Sequence, residues 1–348
     1  MPSTDARTVA RNATALDPTA VATATPPSWD GRRLRAAALA SVAKAVPDRI
    51  VRNDVIAKGA GVTEQWIVHR TGVRERRFVR DGERLSDLAT AAGRQALEEA
   101  GVGAADLDLV LVATVAADEL SPNAAPLVAH ELGAARAGSM DVGAACTGFL
   151  SALSLATSQV EAGRCDHALV IGADVLSRFT DPTDRGTAAL FADGAGATVV
   201  GPANGNGGRI GDIVLQADGA GAASIYAARE DGLFRMQGHD TFKAAVHRLS
   251  ESTLQAVERE GIELDDIDLF VYHQANARIL AAVAERLGLD RERVIDCIDR
   301  YGNTSSATLP IALAEAKERG KLEHGSTVLL GAFGAGFTWG AGVIEWAP

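Results

Sequence analysis

Short runs of consecutive apolar residues alternate along the chain with segments in which apolar side chains recur every three or four positions. Leu109–Ala113, Ala168–Gly172, Ala197–Val200, Leu269–Tyr272 and Thr327–Leu330 are runs of four or five residues closed by polar positions, which predicts strands buried on both faces. Phe149, Leu150, Leu153, Ala156 and Val160 share one helical face that stops at Gly163, and Ile279, Leu280, Val283 and Leu287 share another that stops at Gly288. The alternation predicts an α/β fold with parallel or mixed sheets.

The pattern also repeats. Leu97–Thr114 and Val257–Gln274 align without a gap at an offset of 160 residues, with Glu98/Glu258, Gly101/Gly261, Asp106/Asp266, Asp108/Asp268 and Leu109/Leu269 identical. A second echo sets Glu131-Leu132-Gly133 against Arg286-Leu287-Gly288 at an offset of 155. Two echoes in the same order predict duplicated halves, each built from helix, glycine stop, acidic turn, buried strand, helix and strand. Ligands are then expected near their junction.

Composition narrows the partners. Thirty-four basic against 45 acidic side chains give a net charge of −11, which argues against nucleic acid. No run of 18 apolar residues predicts a membrane span. Three cysteines at irregular spacing exclude a disulfide scaffold and fit a reducing, cytoplasmic compartment. The Ala-, Thr- and Pro-rich start shows no apolar period and lacks the apolar core of a secretory signal, so residues 1–33 are expected to form a disordered tail. Residues 34–205 and 206–348 are the expected halves.

Candidate chemistry starts at Cys146, in Asp141-Val-Gly-Ala-Ala-Cys-Thr-Gly-Phe149. A strand-like stretch, Ser139–Val142, runs through small residues into a helix beginning near Thr147. Cys146 thus falls at a helix N-terminus, where unpaired N–H groups favour a thiolate; the alternative is a buried cysteine serving as a small hydrophobe. Cys165 and Cys297 have no such helix start and read as packing residues. His273 ends a strand where the repeat places Ala113, and Asn276 precedes a helix as a possible cap. Asn303 falls two residues from position 301, which the 155-residue offset assigns to Cys146, so the two side chains are expected at equivalent strand-to-helix turns. Gly331–Gly340 has glycines but no following helix, which argues against dinucleotide binding and leaves a ligand-facing turn or a plain hairpin. No zinc-type Cys/His spacing is present, and no metal is expected.

Taken together, Glu64–Arg76 (EQWIVHRTGVRER), Asp181–Gly186 (DPTDRG), His273–Asn276 (HQAN), Gly302–Ser305 (GNTS) and Gly334–Gly340 (GAGFTWG) resemble the β-ketoacyl-acyl-carrier-protein synthase III family over about residues 34–348. The resemblance implies a thiolase-like fold, two duplicated halves in five alternating α/β layers, and a cytoplasmic homodimer. It implies an acyltransferase of fatty acid biosynthesis that joins an acyl-CoA primer to malonyl-acyl-carrier-protein by decarboxylating Claisen condensation, with no cofactor, coenzyme A thioester being a substrate. Cys146, His273 and Asn303 would be catalytic. Backbone N–H groups of Cys146 and of the turn Gly334, Ala335 and Gly336 would hold an oxyanion; Ala335 stands where many relatives have glycine, and its N–H is retained.

By the same resemblance Trp66 and Arg185 would sandwich the adenine of coenzyme A, Arg70 and Thr71 would meet phosphates, and Asn276 the pantetheine arm. Lys243, Gln274 and Arg278 would dock the acidic carrier protein. Ser121, which precedes Pro122, would reach the partner's primer pocket, where its small side chain leaves room for primers longer than acetyl. Two other readings compete: acyl transfer or condensation in natural-product assembly, which the intact Cys146, His273 and Asn303 do not exclude, and a silent carrier-binding partner, against which those three residues argue.

Overall fold

The protein is described by a computed structural model covering residues 35–203 and 208–348. The expected tail at 1–33 and the junction expected at 205/206 lie outside the described residues. In chain order the elements are β1 (Ala37–Leu39), β2 (Ala43–Ala45), β3 (Ile50–Arg52), α1 (Asn53–Ala60), α2 (Glu64–Thr71), β4 (Glu75–Arg77), α3 (Leu85–Ala100), β5 (Leu109–Ala113), α4 (Ala124–Leu132), β6 (Gly138–Val142), α5 (Gly148–Glu161), β7 (Ala168–Val175) and β8 (Asp193–Pro202). There follow β9 (Arg209–Ala217), β10 (Ile225–Ala227), β11 (Phe234–Met236), α6 (Gly238–Glu260), β12 (Leu269–Tyr272), α7 (Ala277–Leu287), α8 (Ile298–Tyr301), α9 (Thr308–Glu318), β13 (Ser326–Gly334) and β14 (Thr338–Trp346).

One sheet runs β1-β8-β7-β5-β6, with β2 also on β8, and a second runs β12-β13-β14-β9. Their registers match: β5 pairs parallel with β7 as Leu109↔Ala168, and β12 pairs parallel with β13 as Leu269↔Val328, both members displaced by 160 residues. The strand after each pairs antiparallel. Only the first copy has a full outer strand, β6; in the second it shrinks to the bridge Phe270↔Val294. The repeated acids are structural. Asp108 accepts the N–H of Asp166 at 2.7 Å, and Asp268 that of Thr327 at 2.8 Å, so each holds the next strand in register.

Three apolar layers hold five structural ones together. Leu85, Ala89, Ala92 and Val128 of α3 and α4 cover the outer face of the first sheet, and Leu249, Val257, Ile279 and Val283 of α6 and α7 cover the second. Between the sheets, α5 and α9 bury Phe149, Leu153, Leu309 and Leu313. An α-helix sandwiched on both sides is apolar nearly all round, and Thr308–Ala316 of α9 is buried throughout. The expected strand Ala197–Val200 starts earlier, at Asp193, because glycines that weaken the apolar pattern are needed there. A Cβ on Gly196 would stand 2.8 Å from Pro310 Cβ and 3.0 Å from Ile311 N, so those positions let α9 lie on the sheet.

Candidate active site

Cys146 follows β6 in a 3-10 turn, Ala145–Thr147, that opens directly into α5. Ala145 sits at φ 47°. The matching turn in the second half is Ser305–Ala307, opening into α9, with Ser305 at φ 50°. The two turns are therefore 160 residues apart, and the position equivalent to Cys146 is Ser306. Asn303 stands three residues before it. The equivalence expected from the 155-residue offset holds for the turns and fails for the residues, because that echo reflects only the ends of α4 and α7, at Gly133 and Gly288.

The two turns meet. Gly172 of β7 lies against the Ser306 carbonyl with no room for a Cβ. Asp174, fully buried, joins the halves: its carboxylate accepts the Thr114 hydroxyl at 3.0 Å, the Val115 N–H at 2.9 Å, and the N–H and hydroxyl of Ser306 at 2.9 and 2.7 Å. It has no ion-pair partner among the described residues, and burial pushes its carboxyl up. Asp174 has no signal in the sequence, since an aspartate at a strand end carries no motif.

A cavity of about 590 Å³ opens between the halves and is lined by Cys146, His273, Asn303, Ser305, Trp66 and Arg185. Cys146 is half-buried. The helix start does not by itself yield a thiolate: burial pushes the thiol up to about 12, against the opposing pull of the Ser305 hydroxyl and the N–H groups of Cys146 and Ala335. His273, at the end of β12, is buried, and desolvation lowers its pKa to about 3. The imidazole is therefore neutral, a donor or acceptor of hydrogen bonds rather than a cation. Asn303 is fixed in orientation. Its Oδ1 accepts the Ser305 N–H at 2.9 Å. A backbone N–H meets only the oxygen of a carboxamide, so the NH2 is the end left for the cavity.

The Gly334–Gly336 turn joins β13 to β14 beside the cysteine. A Cβ on Gly334 would stand 2.9 Å from both Cys146 N and Cys146 Cβ, so glycine is required there. Thr147 and Thr338 share a 2.9 Å hydrogen bond that ties the hairpin to the cysteine turn.

Trp66 of α2 has two guanidinium groups near its ring, Arg70 at 5.9 Å and Arg185 at 5.8 Å. Two expected contacts are otherwise engaged. Thr71 lines the cavity but gives its hydroxyl proton to Ile67 O at 2.7 Å and accepts Val73 N–H at 3.0 Å, closing the end of α2. Asn276 caps α7 through Arg278 N–H and donates to Arg70 O at 3.0 Å, so one N–H remains for a ligand.

The docking set divides. Lys243 of α6 and Arg278 of α7 are exposed, the latter packed on the Phe242 ring. Gln274 is not on the surface: it is buried, donates to Tyr272 O and Ile295 O at 2.9 and 3.0 Å, and accepts Cys297 N–H at 2.9 Å. Its polarity serves one backbone group of β12 and two of the 294–297 segment, which corrects the docking role. Ser121 is exposed and outside the cavity of its own chain.

Comparison with known proteins agrees with this geometry. Residues 140–219 match the family described as 3-Oxoacyl-[acyl-carrier-protein (ACP)] synthase III, and residues 257–346 match its C-terminal region. A beta-ketoacyl-[acyl-carrier-protein] synthase III of Geobacillus kaustophilus is 41% identical over 310 residues, 89% of this chain and 99% of the relative. The crystal structure of 3-oxoacyl-[acyl-carrier-protein] synthase III from Aquifex aeolicus superposes with a TM-score of 0.87 at 36% identity, covering 89% of this chain and 100% of that one. The priming beta-ketosynthase of the R1128 polyketide biosynthetic pathway superposes at 0.88 with 35% identity, covering 92% and 99%. With two thiolase-type halves meeting at a cysteine, a neutral histidine and an oriented asparagine, and two-fifths identity along nearly the whole length of a relative, the chain belongs to the 3-oxoacyl-[acyl-carrier-protein] synthase III family.

Proposed function

We propose that the chain condenses an acyl-CoA primer with malonyl-acyl-carrier-protein in the cavity that holds Cys146, His273 and Asn303. The observation that carries the reading is the grouping of one cavity-facing thiol with two neutral donors, His273 and the NH2 of Asn303. The Cys146 sulfur attacks the primer thioester and keeps the acyl group as a thioester of similar energy. The oxyanion of that step is met by the N–H groups of Cys146 and Ala335. Malonyl thioester then loses CO₂, and the resulting enolate oxygen is met by His273 and Asn303, donors that carry no charge of their own to be desolvated. The enolate carbon attacks the acyl group and frees Cys146.

Coenzyme A is a substrate in this scheme, and no cofactor takes part. Its adenine stacks at Trp66 with Arg185, while Arg70 faces its phosphates, as the guanidinium–ring spacings support. Lys243 and Arg278 are the proposed carrier contacts. A homodimer in the cytoplasm is the proposed working form, supported by the open edge of β6, where Met140 is 49% exposed, and by Leu120 at 97%. Among the described residues no helix is long and apolar enough to cross a membrane.

The test is to add acyl-CoA and then malonyl-carrier. Intact mass should show one acyl adduct on Cys146, absent in Cys146→Ser, followed by ketoacyl-carrier and CO₂. An adduct surviving in Cys146→Ser, or labelling of Cys165, overturns the reading. A second reading, priming in natural-product assembly, is favoured by the likeness to the R1128 priming ketosynthase; it predicts the same adduct and a different preferred carrier.

A further inference from the structure

The sulfur of Cys146 lies where burial opposes ionisation, and His273 is too poor a base to take its proton. One side chain in the cavity bears on that problem and has no role in the scheme above. Ser305 is, with Ala145, one of two non-glycine residues at positive φ among the described residues. That conformation costs free energy for any residue carrying a Cβ, and such strain persists where the surrounding structure enforces it. The enforcement is visible. The Ser305 N–H is bound to Asn303 Oδ1, the next residue gives both its N–H and its hydroxyl to Asp174, and the Gly172 backbone closes on the Ser306 carbonyl. The Ser305 side chain lines the same cavity as Cys146, and the turn that carries it, Ser305–Ala307, packs against the cysteine turn, Ala145–Thr147.

We infer that Ser305 is a further catalytic residue, whose hydroxyl donates a hydrogen bond to the Cys146 sulfur as it becomes a thiolate, and that Asp174 is a positioning residue holding the turn that aims it. This rests on Cys146 being the nucleophile. The S–H proton passes to water in the cavity while the electron pair stays on sulfur and forms the new bond to the acyl carbon. The bond from that carbon to the coenzyme A sulfur breaks, and the departing thiolate takes a proton from water. The serine proton stays on serine throughout. The other groups acting on the sulfur are the N–H of Cys146 in its own turn, the N–H of Ala335 in the β13–β14 hairpin and Asp174 of β7, whose charge opposes ionisation, while the neutral His273 at the end of β12 lines the same cavity.

The test uses Ser305→Gly in the full chain. Glycine adopts positive φ freely, so this variant removes the hydroxyl and relieves the backbone together. The rate of iodoacetamide alkylation of Cys146 is followed by intact mass across pH, with Cys165 and Cys297 shielded by burial. The expected result is a thermal midpoint no lower than wild type. Alkylation at about pH 7.5 should be roughly tenfold slower, with the rate curve displaced upward by about one pH unit, as loss of a hydrogen bond to a charged group requires. Ser305→Ala should displace the curve equally. A purely structural serine would leave the curve in place, and a folded Ser305→Gly protein with the wild-type curve overturns the inference. Acylation of the wild type by acyl-CoA tests the nucleophile separately: absence of the acyl adduct with a displaced alkylation curve would refute the nucleophile and leave the serine–sulfur bond standing.

Discussion

Gly334→Ala tests how tightly the hairpin is seated on the cysteine. The new Cβ would lie 2.9 Å from Cys146 N and 2.9 Å from Cys146 Cβ, against an ordinary carbon contact of about 3.5–4.0 Å. Neither neighbour can yield by a rotamer change, since one is backbone and the other is fixed to it. The hairpin, tied down by the Thr147–Thr338 hydrogen bond, must therefore retreat by about half an ångström or more, taking the Ala335 N–H with it. Loss of one preorganised oxyanion donor costs about 10²–10³ in rate, or roughly 3–4 kcal/mol. The assay is single-turnover acylation of Cys146 by acyl-CoA, read by quenched mass spectrometry, beside Gly219→Ala, where a Cβ meets nothing within 4 Å. Gly334→Ala should acylate about a hundredfold more slowly with little change in primer binding, while Gly219→Ala matches wild type. Acylation of Gly334→Ala at the wild-type rate would refute both the seating and the role given to Ala335.

Two further outcomes are expected. Gln274→Leu strands the carbonyls of Tyr272 and Ile295 and the N–H of Cys297, so urea denaturation should show a loss of about 3 kcal/mol or more. The salt dependence of carrier use should not change; a fully stable variant with weakened carrier use would restore the docking role. His273 titrates near 3 in the folded chain against an ordinary 6.5, so the unfolded chain binds the proton first as pH falls. Its contribution is complete above pH 6.5 and is lost on the way down to pH 3, which amounts to about 2 kcal/mol by pH 5. His273→Leu should lose correspondingly less stability between pH 7 and pH 5, and equal losses in both proteins would contradict a neutral, buried imidazole.

The apolar runs located the central strands because those strands are covered on both faces, and β5 and β12 fall on the expected residues. The repeat located the duplication because Asp108 and Asp268 perform the same task in each copy. What the sequence hid was where hydrogen bonds go. Thr71, Asn276 and Gln274 are polar residues in family motifs, and nothing along the chain distinguishes one facing a ligand from one closing a helix or joining a loop. Asp174 has no motif of its own, since its significance lies in a contact with Ser306, 132 residues away, and Ser305, although inside the GNTS motif, is not marked along the chain as a neighbour of Cys146. The glycine-rich start of β8 broke the apolar pattern because close approach of α9 required it.

The 160-residue spacing that relates Cys146 to Ser306 also relates Gly334 to Asp174. Each is the strand-end residue that faces a strained turn in the opposite half. At Ser306 that place is filled by a carboxylate bonded to the turn. At Cys146 it is left bare by a glycine. Duplication thus built two cradles of the same shape and plugged one of them. The plugged cradle is a rigid backing for the open one, because the turn that Asp174 fastens is the turn that carries Asn303 and Ser305 to the sulfur. The asymmetry of the two halves at the site comes down to one strand-end position, a carboxylate at Asp174 and a bare glycine at Gly334.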